Sequence, residues 1–171
     1  LSEYFKKNIF RPNNSTIFTS ATLTINNNFS YFKKRLGAEA VEELKLESPF
    51  DYYRQVKVYI PKELNSPGNK ITPEYEHDLQ YWIDHFIDMT GGKALVLFTN
   101  FSLLKKTSEN MKFGLAEKSI NLFTQGDGTP RTKLLEQFKQ DTHSVLFGLD
   151  SFWMGVDVPG ESLSNLIITK L

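Results

Sequence analysis

The sequence predicts an α/β fold in which a mostly parallel sheet is flanked by helices. Three observations carry this. The runs "KALVLFTNF" (93–101), "SVLFGL" (144–149) and "NLIITKL" (165–171) are nearly continuous in apolar residues, as in strands covered on both faces. Helical segments of roughly 10–15 residues alternate with them, as in βαβ units. Gly, Asp, Asn, Ser and Thr collect where the apolar runs end, which marks turns and helix starts.

Each element has its own signal. "STIFTSATLT" (15–24), rich in Thr and Ile, reads as a short buried strand. "NFSYFKKRLG" (28–37) has helical spacing and stops at Gly37. "SPFDYYRQ" (48–55) is irregular, and "VKVYIP" (56–61) alternates like a strand closed by Pro61. "ELNSPGNK" (63–70) is a polar loop with a Pro-Gly turn. From about Tyr75 to Thr90, the residues Leu79, Trp82, Ile83, Phe86, Ile87 and Met89 recur mostly at helical intervals, so this segment is an amphipathic helix ended by Gly91-Gly92. A helix beginning near Ser102 follows the 93–101 strand. Then come a strand "SINLFTQ" (119–125) and a helix with Thr129 as N-cap and Pro130 in its first turn. "SVLFGL" and "NLIITKL" supply two more buried strands.

Composition bounds the function. A chain of 171 residues, 40% hydrophobic and 13% aromatic, fits one folded domain with a real core. Lys+Arg and Asp+Glu balance at 20 each, which argues against binding nucleic acid by bulk positive charge but not against a local phosphate-binding edge. The absence of cysteine excludes disulfides and thiolate or iron–sulfur ligation within this chain. His77, His85 and His143 lack metal-ligand spacing and read as solvated or satisfied side chains. No apolar run reaches about 18 residues and no signal-peptide pattern opens the chain, so a soluble, cytoplasmic protein with no membrane partner is expected. The start at Leu1 without methionine and the stop at Leu171 inside an apolar run predict a piece of a longer polypeptide.

Parallel sheets bind ligands beyond the carboxyl ends of their strands. The unusual residues lie there: Ser20-Ala21-Thr22, Thr99-Asn100-Phe101, Gln125-Gly126-Asp127-Gly128 and "FGLDSFWMGVDVPG" (147–160). In "LFTNFS" (97–102), Thr99, Asn100 and Ser102 either cap a helix or join its free amides in holding a phosphate. Arg131, in the first turn of its helix, is either solvated or paired with an anion. In the 147–160 stretch, Gly155 and Gly160 permit positive φ and a close backbone approach. Asp157 can accept from a ribose hydroxyl, Ser151 can donate to a phosphate, and Phe152 or Trp153 can stack on a base. The alternative is that the two aromatics pack inward and Asp157 caps a turn.

Four segments in order, "SATL" (20–23), "ALVLFTNF" (94–101), "GDGTPRTKLLEQF" (126–138) and "SVLFGLDSFWMGVDVPGESLSNLIITKL" (144–171), resemble the DinG/XPD-like group of superfamily 2 DNA helicases. They match its motif III, motif IV, the segment between IV and V, and motif V. The resemblance is strongest to the DinG branch, runs from Thr16 to Leu171, and is more variable between about Gly37 and Lys93.

The resemblance implies a RecA-like (P-loop NTPase-type) three-layer sandwich. Residues 1–24 would be the end of the first lobe and a linker, and 25–171 the second lobe, truncated before motif VI. Gly155 and Asp157 would face the nucleotide. Thr99, Asn100 and Ser151 would contact the backbone of single-stranded DNA, with Trp153 and Arg131 on the same rim. Ser20 and Thr22 would couple this lobe to the first helicase lobe, its partner within one polypeptide. ATP and Mg²⁺ serve the parent protein, in DNA repair or replication in the cytoplasm, nucleoid-associated in a bacterium, and the chain alone would bind neither and be inactive. Met154 departs from the pattern, since many relatives carry an acidic residue there. Two other functions stay open: the helicase-like regulatory region of a DinG-type 3'-5' exonuclease, and a non-catalytic α/β binding module.

Overall fold

The structure, a computed structural model, describes residues 1–64 and 71–170. The Pro-Gly turn expected at Pro67-Gly68 lies outside them. The chain divides into two compact units, Leu1–Val58 and Tyr59–Leu171.

The first unit contains helices α1 (Ser2–Asn8), α2 (Ser30–Leu36) and the single turn α3 (Tyr52–Gln55), which replaces the irregular segment expected at 48–55. Its apolar centre is a chain of rings, Phe5, Phe10, Phe18 and Phe32, with centroids 5.7 to 6.1 Å apart. Such tilted and edge-on pairs suit the ring quadrupoles. Gly37, at φ 70°, ends α2 as its spacing predicted. The strand expected over 15–24 is not formed; Ile17 is 86% exposed. Its Thr- and Ile-rich pattern supplies a strand's faces, but a strand also needs a neighbour for its backbone groups. The same correction applies to 56–61, which is extended without being a ladder strand and leaves Val56, Val58 and Ile60 exposed.

The second unit opens with α4 (Pro73–Thr90). Thr72 caps it, its Oγ1 accepting from the Tyr75 N–H at 3.2 Å, and Pro73 follows at the first helical position. The helix buries Tyr75, Leu79, Ile83 and Ile87 at four-residue spacing and ends at Gly91, φ 61°. The Tyr75 hydroxyl, its pKa pushed up by burial, donates to the Thr169 carbonyl at 3.3 Å.

Strands β1 (Ala94–Leu97), β2 (Asn121–Thr124), β3 (Ser144–Gly148) and β4 (Asn165–Ile168) form one parallel sheet in the order β2-β3-β1-β4. Parallel neighbours need long crossovers, which α5 (Phe101–Glu117) and α6 (Arg131–Gln140) provide for the first three strands. Alternate side chains then serve opposite faces. Ala94, Val96, Val145 and Phe147 pack with α4 and α5, while Leu95, Leu97 and Leu146 pack with Leu134 and Phe138 of α6 and with Phe152. The result is the expected three-layer α/β/α sandwich.

Two local expectations are corrected. β4 is an edge strand rather than a buried one: Leu166 and Ile168, opposite Leu95 and Leu97, are 56% and 42% exposed. Helix α4 covers only the other face of β4, where the Asn165 amide donates to the Phe86 carbonyl at 2.7 Å. At α6 the N-cap position falls to Pro130 instead of Thr129, whose N–H donates to Asp127 Oδ1 at 2.8 Å in a turn before the helix.

Lys118, just past α5, ties it to α4 through ion pairs to Asp84 and Asp88, both at 2.8 Å. Desolvation lowers its pKa, but hydrogen bonds and the charges of the two carboxylates outweigh it and hold the ammonium above the usual lysine value.

Two outcomes are expected from denaturant titrations. Ile87→Ala, at a fully buried position, lowers stability by about 2–5 kcal/mol. Lys118→Met lowers it by less than about 1 kcal/mol, because the group is partly solvated. The folded pKa lies above the unfolded one, so this difference is fully present below about pH 10.4 and vanishes as pH rises through the folded value.

Candidate functional site

Because the four strands are parallel, their carboxyl ends open on one edge of the sheet. β3 lies between β2 and β1, so the loop leaving it is flanked by the segments that follow its two neighbours.

After Gly148 the chain makes one 3₁₀ turn, Asp150–Phe152, in which the Phe152 N–H donates to Leu149 O at 2.7 Å and the Trp153 N–H to Asp150 O at 3.1 Å. Phe152 is only 1% exposed. A Cβ on Gly148 would stand 2.8 Å from Cβ and Cγ of Phe152, so the missing side chain makes the seat for the ring. Trp153 is half-buried against the same apolar cluster, and its indole N–H donates to Phe98 O at 3.4 Å. Phe152 therefore takes the inward alternative, and the body of Trp153 is anchored beside it.

Two residues from the neighbouring elements hold this loop. Gln125, at the end of β2, accepts from the Leu149 N–H at 2.7 Å and donates to Ser151 Oγ at 3.1 Å. Ser151 keeps its own hydroxyl proton for another partner. Arg131, at the start of α6, donates from Nε to Ser151 O at 3.1 Å and from Nη2 to Met154 O and Gly155 O at 3.4 and 3.5 Å. Its guanidinium carbon lies 5.0 Å from the centroid of the Phe152 ring, a cation–π distance. The helix-start position of Arg131 left it either solvated or paired with an anion; in the structure its Nε and Nη2 donors meet backbone carbonyls.

Asn100 is the N-cap of α5, its Oδ1 accepting from the Leu103 N–H at 2.9 Å, which leaves its Nδ2 donor free of that role. Thr99 beside it is exposed. Gly155 has φ 68°, a conformation that L side chains rarely adopt, and Asp157 two residues on is exposed. The structure thus gathers Thr99, Asn100, Ser151, Trp153 and Arg131 at one rim, with Gly155 and Asp157 on the loop that continues from it. Ser20 and Thr22 belong to the first unit, where their hydroxyls lie 3.2 Å apart and the Thr22 N–H donates to Ser20 Oγ.

Sequence reasoning placed Gln125 among the strand-end residues but gave it no role. Its only signal was a polar amide at the end of an apolar strand, just before Gly126. Among the described residues, no three His, Asp or Glu side chains converge as a metal centre. Nor is any described helix long and apolar enough to cross a membrane. What the rim offers is a row of uncharged donors, Thr99 Oγ1, Asn100 Nδ2 and Ser151 Oγ, suited to oxygen-rich ligands such as a sugar–phosphate backbone.

Residues 83–171 match the family described as helicase C-terminal domain. The chain is 35% identical over 173 residues to the 3'-5' exonuclease DinG of Bacillus subtilis, covering 99% of this chain and 18% of that protein. It is 34% identical over 174 residues to the ATP-dependent DNA helicase YoaA of Escherichia coli, covering 100% of this chain and 26% of that protein. Against the ATP-dependent helicase DinG of Mycobacterium tuberculosis H37Rv it is 34% identical over 160 residues, 92% of this chain and 23% of the relative. The chain thus spans about a fifth to a quarter of the length of these relatives. The matched region begins within α4 and takes in the whole parallel sheet and every loop of the rim. By that match and by its three-layer architecture, the chain belongs to the helicase C-terminal domain family, with the RecA-like fold of that domain.

Proposed function

We propose that this chain is the second motor lobe of a DinG-type ATP-dependent DNA helicase, and that its strand-end rim grips single-stranded DNA. The observation that carries the proposal is the convergence of Thr99, Asn100 and Ser151 on one edge of the sheet, with Gly155 and Asp157 on the adjoining loop. The names of the relatives, helicases acting on DNA at the expense of ATP, support the same reading.

The roles follow from chemistry. The three side chains donate hydrogen bonds without net charge, so they hold phosphate and sugar oxygens through geometry more than through bulk attraction. That fits a chain whose charges balance. The half-buried Trp153 gives an aromatic surface against which a base can rest. Asp157, exposed next to a backbone that Gly155 lets approach closely, is an acceptor for ribose hydroxyls. ATP, when bound, supplies the phosphoryl transfer that drives the motor. On this reading the chain's part lies at the nucleotide's sugar and the DNA, with Mg²⁺ and the phosphates assigned to the first lobe. Ser20 and Thr22 serve as the link to that lobe. Work on DNA in repair or replication, in the cytoplasm, follows from the same reading.

A second reading rests on the Bacillus subtilis relative, which is named an exonuclease. In it the same rim holds the strand for a nuclease and need not unwind a duplex.

The test is binding of a labelled oligothymidylate by fluorescence anisotropy, in the protein that carries this chain. Thr99→Ala and Ser151→Ala each weaken binding by about 2- to 10-fold, the worth of one neutral hydrogen bond. Asn100→Asp keeps the helix cap and removes the outward donor, and it weakens binding at least as much. In Thr99→Ala and Ser151→Ala the dependence on salt stays as in the unaltered protein, since no charge is changed. Unchanged affinity in all three variants would overturn the proposal.

A further inference from the structure

We infer that Arg131 and Gln125 are positioning residues: together they set the shape of the Ser151–Gly155 segment and act on DNA and nucleotide only through it. The inference rests on the proposed function for what the segment does, and on geometry alone for what the two residues do.

Arg131 meets backbone at both ends of the segment. Its Nε holds the Ser151 carbonyl, beside the hydroxyl proposed to touch DNA. Its Nη2 reaches the carbonyls of Met154 and Gly155, where the nucleotide-facing part begins. The guanidinium also lies over the ring of Phe152, the residue on which the turn is seated. A planar fork with five N–H donors can meet all of these at once, whereas an ammonium is a point charge that meets one. Gln125 acts from the other side, fixing the Leu149 N–H and orienting the Ser151 hydroxyl. One end of the clasp directly follows β2 and the other opens α6, so each adjoins regular structure. With Nε and Nη2 directed at carbonyls, Arg131 acts on the shape of the segment before any contact with a phosphate. Binding that displaces Ser151 is felt at the carbonyls of Met154 and Gly155 through one shared planar guanidinium, which ties the strand-gripping end to the nucleotide end.

The chain contains two tryptophans, so a Trp82→Phe background leaves Trp153, within the clasped segment, as the sole reporter. Into it go Arg131→Lys, Arg131→Ala and Gln125→Met, each read in the full chain without DNA or ATP. Acrylamide quenching of Trp153 is expected to rise at least about twofold in all three while far-UV circular dichroism is unchanged, as in local loosening of one loop. Lysine is expected to fare no better than alanine. In the unaltered Trp82 background, the salt dependence of oligothymidylate binding is expected to stay the same in Arg131→Lys and Arg131→Ala, even where affinity falls. A direct phosphate contact would instead be rescued by lysine, and its loss in the alanine variant would reduce the slope of log K against log salt by about 0.7. Rescue of quenching by lysine, quenching unchanged in all variants, or a reduced slope would each overturn the inference. If the unaltered protein binds no oligothymidylate, the proposed function fails, and the quenching result alone still decides the role of the clasp.

Discussion

The ring of Phe152, seated in the space that Gly148 leaves by having no side chain, is the contact on which the rim depends. Burying a phenylalanine contributes about 1.5–3 kcal/mol relative to exposure, enough to fix one short turn in a single conformation. Once the ring is in place, the Leu149 N–H faces Gln125, the Ser151 carbonyl faces Arg131, and the Trp153 indole reaches Phe98 O. The polar groups that remain exposed are then held on a rigid base, which is what a binding edge requires. Apolar burial sets the geometry here, and hydrogen bonds refine it.

Electrostatics play a different part from the one expected of a DNA-handling surface. The chain is neutral, and Arg131, the cation at the rim, directs its Nε and Nη2 at backbone carbonyls. Lys118 and Lys106, among the other basic residues, pair with carboxylates of α4 on the opposite side of the sheet from Phe152. Under the proposed function, such a lobe would hold its ligand by shape and neutral donors. That suits a grip which must tighten and release in turn, since no large charge attraction has to be undone.

The central fold was legible because each signal was local. "KALVLFTNF" has the continuous apolar composition of a strand covered on both sides, and β1 is buried throughout. The spacing of Leu79, Ile83 and Ile87 together with Gly91 marked α4 and its end, though Met89, read with them, is exposed. What failed depended on neighbours that a pattern cannot name. The segments 15–24 and 56–61 have the alternation of strands but no ladder partner among the described residues, and β4 has a face that no described helix covers. At the site, the rim's position followed from the parallel sheet. The inward turn of Phe152 did not, because its ring has the same apolar area whether it packs or stacks on a ligand. The glycine four residues before it was the available clue. Gln125 was legible as a strand-end residue, but its part in holding the loop was not, since its partners lie 24 and 26 residues further along the chain.

The most direct measurement is amide hydrogen exchange in Gly148→Ala, compared residue by residue with the unaltered chain. The added Cβ would meet Phe152 at 2.8 Å, and an overpacked site costs about 1–3 kcal/mol. If the seat governs the rim, the Phe152 and Trp153 amides lose protection by about 5- to 100-fold while those in the middle of α4 keep theirs. Undiminished protection at both amides, with alanine in place and the sheet intact, would contradict the account.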